Sequence, residues 1–174
     1  MTLRPAPVLE ARTSSAHATR DLAHEVARLA VAGDLLVLAG DLGTGKTVWV
    51  QGFARGLGVT ETVTSPTFTL VRPYQGDRLR LLHVDLYRLD RLSEVVDLGL
   101  VEQVDDRAVA CIEWGDLAAP ALPADFLEVR LAPGAGDDDR EITLRAVGPA
   151  WLARLADLEK ALSPWASPRD GDAG

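Results

Sequence analysis

The chain has no asparagine, only two lysines and a single cysteine in 174 residues. Cys111 alone can form no intrachain disulfide, so a disulfide scaffold is excluded and the reducing cytoplasm is the expected setting. No apolar run approaches the roughly 18 residues of a membrane-spanning helix, and residues 1–10 lack a secretory apolar core, so no membrane association is expected. Positive charge is also short. The formal net charge is -8, which works against a general nucleic-acid-binding surface, because phosphate backbones are held by clustered Lys and Arg.

What remains is the composition of a soluble domain, 47% hydrophobic and 25% charged, long enough for one real core. Charge is unevenly spread. Residues 1–75 hold 7 basic and 6 acidic residues, whereas residues 76–174 hold 11 and 20. The second part therefore carries all of the excess acid, as a solvated face or as a surface for a basic partner.

Hydrophobic periodicity predicts a helix over 16–32, with Leu22, Val26 and Leu29 on one face and Gly33 as its stop. Val8 to Arg12 reads as a short strand before it. Leu35 to Ala39 is continuously apolar, the pattern of a strand buried on both faces of a parallel sheet. A helix follows over 46–57. Residues 67–74 and 79–86 read as a hairpin around Gln75-Gly76-Asp77, residues 92–104 as short helices, and 108–113 as another buried strand. Residues 126–132 and 141–147 alternate as two further strands. An amphipathic helix is predicted over 150–162. Residues 1–162 then form one domain, and 163–174 a disordered tail with two prolines and no apolar period.

Gly40-Asp41-Leu42-Gly43-Thr44-Gly45-Lys46-Thr47 fits G-x-x-x-x-G-K-[ST] between a buried strand and a helix, the context this phosphate loop demands. Glycines let backbone N–H groups turn inward on phosphate oxygens, and the helix N-terminus adds unpaired N–H groups and its positive dipole end. Lys46 is placed to reach the β- and γ-phosphates, and the Thr47 hydroxyl to ligate Mg²⁺. Asp41, next to anionic phosphates, is open to two roles: a turn residue, the commoner use, or one facing an attacking water. Guanine-reading P-loop proteins use an Asn/Thr-Lys-x-Asp segment. With no asparagine, and with Lys160 followed by Ala-Leu, that segment is missing, and adenine follows by exclusion.

Two apolar runs end in acids. Leu81-Leu82-His83-Val84-Asp85 and Val109-Ala110-Cys111-Ile112-Glu113 each deliver a carboxylate to a strand tip, where a P-loop site needs one for Mg²⁺ or the attacking water. Which of Asp85 and Glu113 binds metal directly stays open. His83 and Tyr87 alternate with Asp85; His83 reads as a packed or hydrogen-bonded strand histidine, the commoner use, or as a switch or base, and Cys111 as a buried structural thiol. Trp114 is compatible with a base pocket, core packing or a partner contact. The hydroxyl-rich segment Thr64-Ser65-Pro66-Thr67 stands where P-loop switches sense the γ-phosphate, or is an ordinary proline turn.

Four blocks in order, Gly-Asp-Leu-Gly-Thr-Gly-Lys-Thr at 40–47, Ser-Pro-Thr-Phe-Thr-Leu-Val at 65–71, His-Val-Asp-Leu-Tyr-Arg-Leu at 83–89 and Ile-Glu-Trp-Gly-Asp at 112–116, resemble the TsaE (YjeE) family, small ATPases of bacterial tRNA threonylcarbamoyladenosine (t6A) synthesis. The resemblance covers roughly residues 10–160. It implies a single three-layer α/β P-loop domain with a sheet of mixed parallel and antiparallel direction. It implies Mg²⁺-dependent ATP binding, weak intrinsic hydrolysis, and work with the threonylcarbamoyl transferase subunit and its inactive paralogue (TsaD and TsaB type), so that tRNA is served only indirectly. By motif, the nucleotide falls to residues 41–47 (Asp41, Leu42, Gly43, Thr44, Gly45, Lys46 and Thr47), with Thr67 as the switch hydroxyl and Trp114 beside the site. Lys46, Asp85 and Glu113 are then catalytic, and Thr47, Asp85 and Glu113 serve the metal. The family's nucleotide also contacts the segment before the first helix, here near Arg12 or Thr13, and the acidic loop around Asp139 and Arg140 is a further candidate to approach it. Gly115 follows the tryptophan where a proline is common in the family. Two other readings compete: a P-loop kinase of a small molecule, for which no compact arginine-rich lid is evident, and a nucleotide-gated binding module whose hydrolysis is incidental.

Overall fold

A computed structural model describes residues 6–66, 69–104 and 107–168. Among these described residues seven strands form one sheet: β1 (Val8–Thr13), β2 (Leu35–Ala39), β3 (Val71–Gln75), β4 (Arg80–Asp85), β5 (Ala108–Glu113), β6 (Phe126–Pro133) and β7 (Arg140–Val147). Their order is β1-β7-β6-β2-β5-β4-β3. The central strands β6, β2, β5 and β4 run parallel, while β3, β7 and β1 pair antiparallel at the flanks. The mixed-direction α/β sheet is thus as expected. The most apolar run, β2, takes the middle place, where every residue is covered from both sides.

Among the described residues six α-helices cover the sheet: α1 (Ala16–Ala27), α2 (Lys46–Gly56), α3 (Leu92–Asp97), α4 (Leu100–Gln103), α5 (Pro149–Leu152) and α6 (Leu155–Leu162). Strand alternation divides the core into two layers. Leu36, Leu38, Leu81, Val109 and Cys111 pack with α1, α2 and α6, while Leu35, Val37, Leu82, Val84, Ala110 and Ile112 pack with Val95 and Leu100 of α3 and α4 on the other face. Ser15 caps α1, its side chain accepting from Ala18 N at 3.0 Å. That helix ends at Ala27 rather than near residue 32, because the last residues before Gly33 turn tightly and Arg78 donates to the Ala27 and Ala30 carbonyls.

α2 lies against α1 through two glycines four residues apart. A Cβ on Gly52 would stand 2.2 Å from the Arg20 carbonyl oxygen, and one on Gly56 would stand 2.6 Å from the Ala27 Cβ. Backbone cannot give way as a flexible side chain can. Gly52→Ala is therefore expected to lower folding stability by about 2–3 kcal/mol, the upper range for overpacking, seen as a lower urea midpoint at an unchanged m-value.

The C-terminal region departs from its sequence reading in two places. The helix expected over 150–162 is broken at Ala153 and Arg154. The Arg154 guanidinium donates to the Ala150 carbonyl at 3.0 Å, to Leu29 O at 2.9 Å, and to both oxygens of Asp34 at 2.7 Å, and it lies over the Trp151 ring. This bidentate pair clamps the α5–α6 junction to the loop before β2. The segment expected to begin a disordered tail is ordered through Pro168. Ser163–Trp165 forms a 3₁₀ turn, Ala166 bridges Ala11, and Ser167 N donates to Glu10 O at 3.2 Å. Residues 163–168 thereby cover part of the free edge of β1, which periodicity cannot foresee. Residues 169–174 lie outside the described residues. Among the described residues no helix is long and apolar enough to cross a membrane.

Candidate functional site

The chain leaves the C-terminal end of β2 at Ala39 and turns at Gly40, whose φ of +144° and 2.4 Å approach of a hypothetical Cβ to Leu131 O admit only glycine. The turn closes on itself. The Asp41 carbonyl accepts from the Thr44 hydroxyl at 2.8 Å and from Lys46 Nζ at 2.8 Å, and Nζ also donates to Gly40 O at 2.7 Å. Asp41 contributes here as a turn residue through its carbonyl. Lys46 is only 5% exposed, and its Nζ lies 4.0 Å from the centroid of the Trp114 ring. Burial lowers its pKa from the ordinary lysine value, opposed by the carboxylates of Glu113, Asp85, Asp41 and Asp116. Those four acids favour the charged ammonium against the effect of its burial.

Sheet pairing brings the two strand-end acids together. Asp85 on β4 stands opposite Glu113 on β5, and Glu113 is in turn opposite Leu38 on β2, just before the loop. Side chains two apart share a face, so His83 and Asp85 join Cys111 and Glu113 on the α2 side. There the Thr47 hydroxyl, in the first turn of α2, donates to the Glu113 carboxylate, 3.0 and 3.1 Å from its two oxygens. His83 Nε2 meets the same carboxylate. Asp85 accepts from Ser65 Oγ at 2.7 Å and from Tyr87 N at 3.0 Å. The Tyr87 and Trp114 rings lie 5.1 Å apart, with Trp114 in the left-handed region at φ 59°. Such a backbone is unfavourable for a bulky residue and persists here with its ring over Lys46.

These residues line a cavity of about 500 Å³, walled by Leu42, Gly43, Gly45, Lys46, Thr47 and Val48 on one side and Ser65, Leu70, Asp85, Glu113 and Trp114 on the other. Its polar lining includes the Lys46 ammonium, the Thr47 and Ser65 hydroxyls, the Asp85 and Glu113 carboxylates, and Tyr87 and Arg88. Hard oxygen donors of this kind suit Mg²⁺, which keeps several waters and takes its other ligands from phosphate, so two carboxylates and one hydroxyl fit it without a closed protein cage. Among the described residues no group of three or more His, Cys, Asp or Glu forms such a cage.

Thr13 does not reach this cavity. It is buried, its hydroxyl 2.7 Å from that of Thr19, and it lines a second depression of about 380 Å³ with Arg12, Ser14, Gly134, Asp139 and Arg140. A small pocket containing Thr19, Thr44, Gly45, Val48 and Arg140 lies next to both. Thr67 lies outside the described residues, and the hydroxyl that this segment does place at the site is that of Ser65. Two side chains reach the site from residues distant in the chain. His83 is the hydrogen-bonded strand histidine that its alternation with Asp85 allows, and its partner is Glu113, 30 residues away. Arg140 donates to the phosphate-loop carbonyls of Thr44 at 2.9 Å and Gly43 at 3.4 Å, and to Asp137 O and Asp139 O of its own hairpin. No local signal marks that contact, which joins residues almost a hundred apart. Cys111 is fully buried, and burial, with Glu113 beside it, holds its thiol well above the ordinary value, so it is no nucleophile.

The geometry agrees with what the chain is similar to. The family model described as "Threonylcarbamoyl adenosine biosynthesis protein TsaE" matches residues 13–142. A tRNA threonylcarbamoyladenosine biosynthesis protein TsaE of Bacillus subtilis is 45% identical over 152 residues, covering 87% of this chain and 94% of that protein. The protein of the same name from Treponema pallidum is 46% identical over 119 residues, 68% of this chain and 87% of its own. The crystal structure of Bacillus subtilis YdiB superposes with a TM-score of 0.77 at 36% identity, covering 91% of this chain and 98% of that one. With the P-loop fold and the match extending over most of its length, the chain belongs to the TsaE family of threonylcarbamoyl adenosine biosynthesis proteins.

Proposed function

We propose that this protein binds Mg²⁺·ATP and hydrolyses it as an accessory subunit of t6A formation in tRNA, together with the threonylcarbamoyl transferase subunit and its inactive paralogue. The observation that carries this reading is the convergence of Lys46, Thr47, Asp85 and Glu113 on one cavity at the end of β2. The names of the relatives supply the pathway.

The triphosphate lies along the loop, with backbone N–H groups of residues 43–47 on its oxygens and Lys46 exchanging its bonds to Gly40 O and Asp41 O for phosphate. Thr47 Oγ1 and the carboxylates of Asp85 and Glu113 would hold Mg²⁺, directly or through its waters, and the ion would neutralise charge on the phosphates. The base goes to the opposite flank, in the depression of Thr13 and Arg140. Glu113 orients a water whose oxygen bonds to the γ-phosphorus as the bond to the β,γ-bridging oxygen breaks. The water's proton passes to the carboxylate or to phosphate, and ADP leaves. The net charge of -8 favours a protein partner over direct tRNA contact.

Purified protein is expected to release phosphate from ATP slowly, and several-fold faster once the transferase pair is added. Label from the γ-phosphate should appear as inorganic phosphate. Its transfer to a metabolite would support the kinase reading, and an unchanged rate with the pair would remove the accessory role.

A further inference from the structure

Glu113 is nearly fully buried, yet its carboxylate is held from two directions. Thr47 Oγ1 of α2 meets both of its oxygens, and His83 Nε2 of β4 meets Oε2. We propose that His83 is a positioning residue for Glu113, its Nε2–H fixing the carboxylate plane so that Thr47 and the cavity face the oxygens in one orientation. This rests on the reading of Glu113 as the acid that serves hydrolysis.

Three features support the assignment. First, a carboxylate only accepts hydrogen bonds, so the His83 nitrogen facing it is the one that donates. Because the Thr47 hydroxyl also donates to Glu113, its own lone pairs are kept for a cation. Second, packing does not account for an imidazole here. His83 is wholly buried among apolar residues of the α1–α2 layer, opposite Cys111, and its Nδ1 has no hydrogen-bond partner among the described residues. A buried polar atom left without a partner costs free energy that a leucine at the same place would not. The side chain is justified by its other nitrogen. Third, the strand register sets the placement. His83 sits two residues before Asp85, which stands opposite Glu113, so one ladder sets both the acid pair and its support.

His83→Leu, His83→Asn and His83→Gln separate this role from a structural one. The glutamine amide nitrogen takes the place of Nε2, whereas the asparagine amide mimics Nδ1 and falls short. His83→Leu and His83→Asn are expected to cut kcat for ATP roughly 10- to 100-fold, the usual cost of losing such a supporting contact, with KM within about threefold of the parent. His83→Gln should recover kcat to within a few-fold. Parental kcat in His83→Leu, or equal losses in the Gln and Leu variants at unchanged melting temperature, would overturn the proposal. A second readout needs no turnover. In the proton NMR spectrum of the full chain without nucleotide, a downfield imidazole Nε2–H signal should vanish in His83→Gln and move upfield in Glu113→Gln. If the signal ignores Glu113, the pairing is wrong. If that pairing signal is present but the parent hydrolyses no ATP with or without the transferase pair, the hydrolysis reading fails while the His83–Glu113 pairing stands.

Discussion

Lys46→Ala is expected to weaken Mg²⁺·ATP binding about 30- to 100-fold in calorimetric titration, while the far-ultraviolet circular dichroism stays that of the parent. A hydrogen bond from a charged group contributes about 1.5–3 kcal/mol, and 1.4 kcal/mol is tenfold in affinity. The ammonium is favourably set for this. It is buried beside the Trp114 ring, four carboxylates counter the effect of its burial, and its present acceptors are carbonyls of its own loop. Phosphate oxygens replace neutral acceptors with charged ones without moving the lysine far. Alanine would also leave Gly40 O without its Nζ donor, whereas Asp41 O keeps the Thr44 hydroxyl. The loop therefore loosens at its first residue rather than collapsing. A parental affinity in Lys46→Ala would mean that the nucleotide does not use this loop.

Glu113→Gln should show the opposite division. ATP binding is expected to remain within about fivefold of the parent, whereas kcat falls by about 100-fold or more, as loss of a group that handles the proton or orients the water commonly does. Glutamine has nearly the same shape, so the buried end of β5 can keep its packing. What it loses is the charge, and with it an acceptor able to serve Thr47 and His83 together. Single-turnover measurement with saturating ATP separates the two effects. Equal hydrolysis by Glu113→Gln and the parent would take Glu113 out of the reaction and would leave Asp85, with its Ser65 and Tyr87 contacts, as the acid to examine.

The contrast between the two variants follows from where each residue stands. Lys46 belongs to a loop whose geometry is nearly all local, since each contact of its Nζ with carbonyl oxygen lies within six residues. Glu113 has meaning only through partners 66 and 30 residues away. That difference also separates what is legible in the sequence from what is not.

By itself the sequence determined the phosphate loop, the helix behind it, the buried strand before it and the acids closing two apolar runs. These are local patterns of spacing and period, and they survive any arrangement of the remaining chain. The absence of asparagine likewise excluded the usual guanine-reading segment without any structure. Four ordered blocks added the family. Tertiary structure alone decided the rest. Parallel pairing of β4 with β5 put Asp85 opposite Glu113, and the shared face chose Glu113 as the hydrogen-bond partner of His83. Strand order put Thr13 on the far flank of the loop and brought Arg140 onto it. A bidentate clamp on Asp34 accompanies the break in the helix expected over 150–162, and the edge of β1 ordered residues 163–168. Each of these is a contact between residues distant in the chain. Such contacts form where burial, pairing register and charge are satisfied together, a condition of the whole fold that no window of sequence contains.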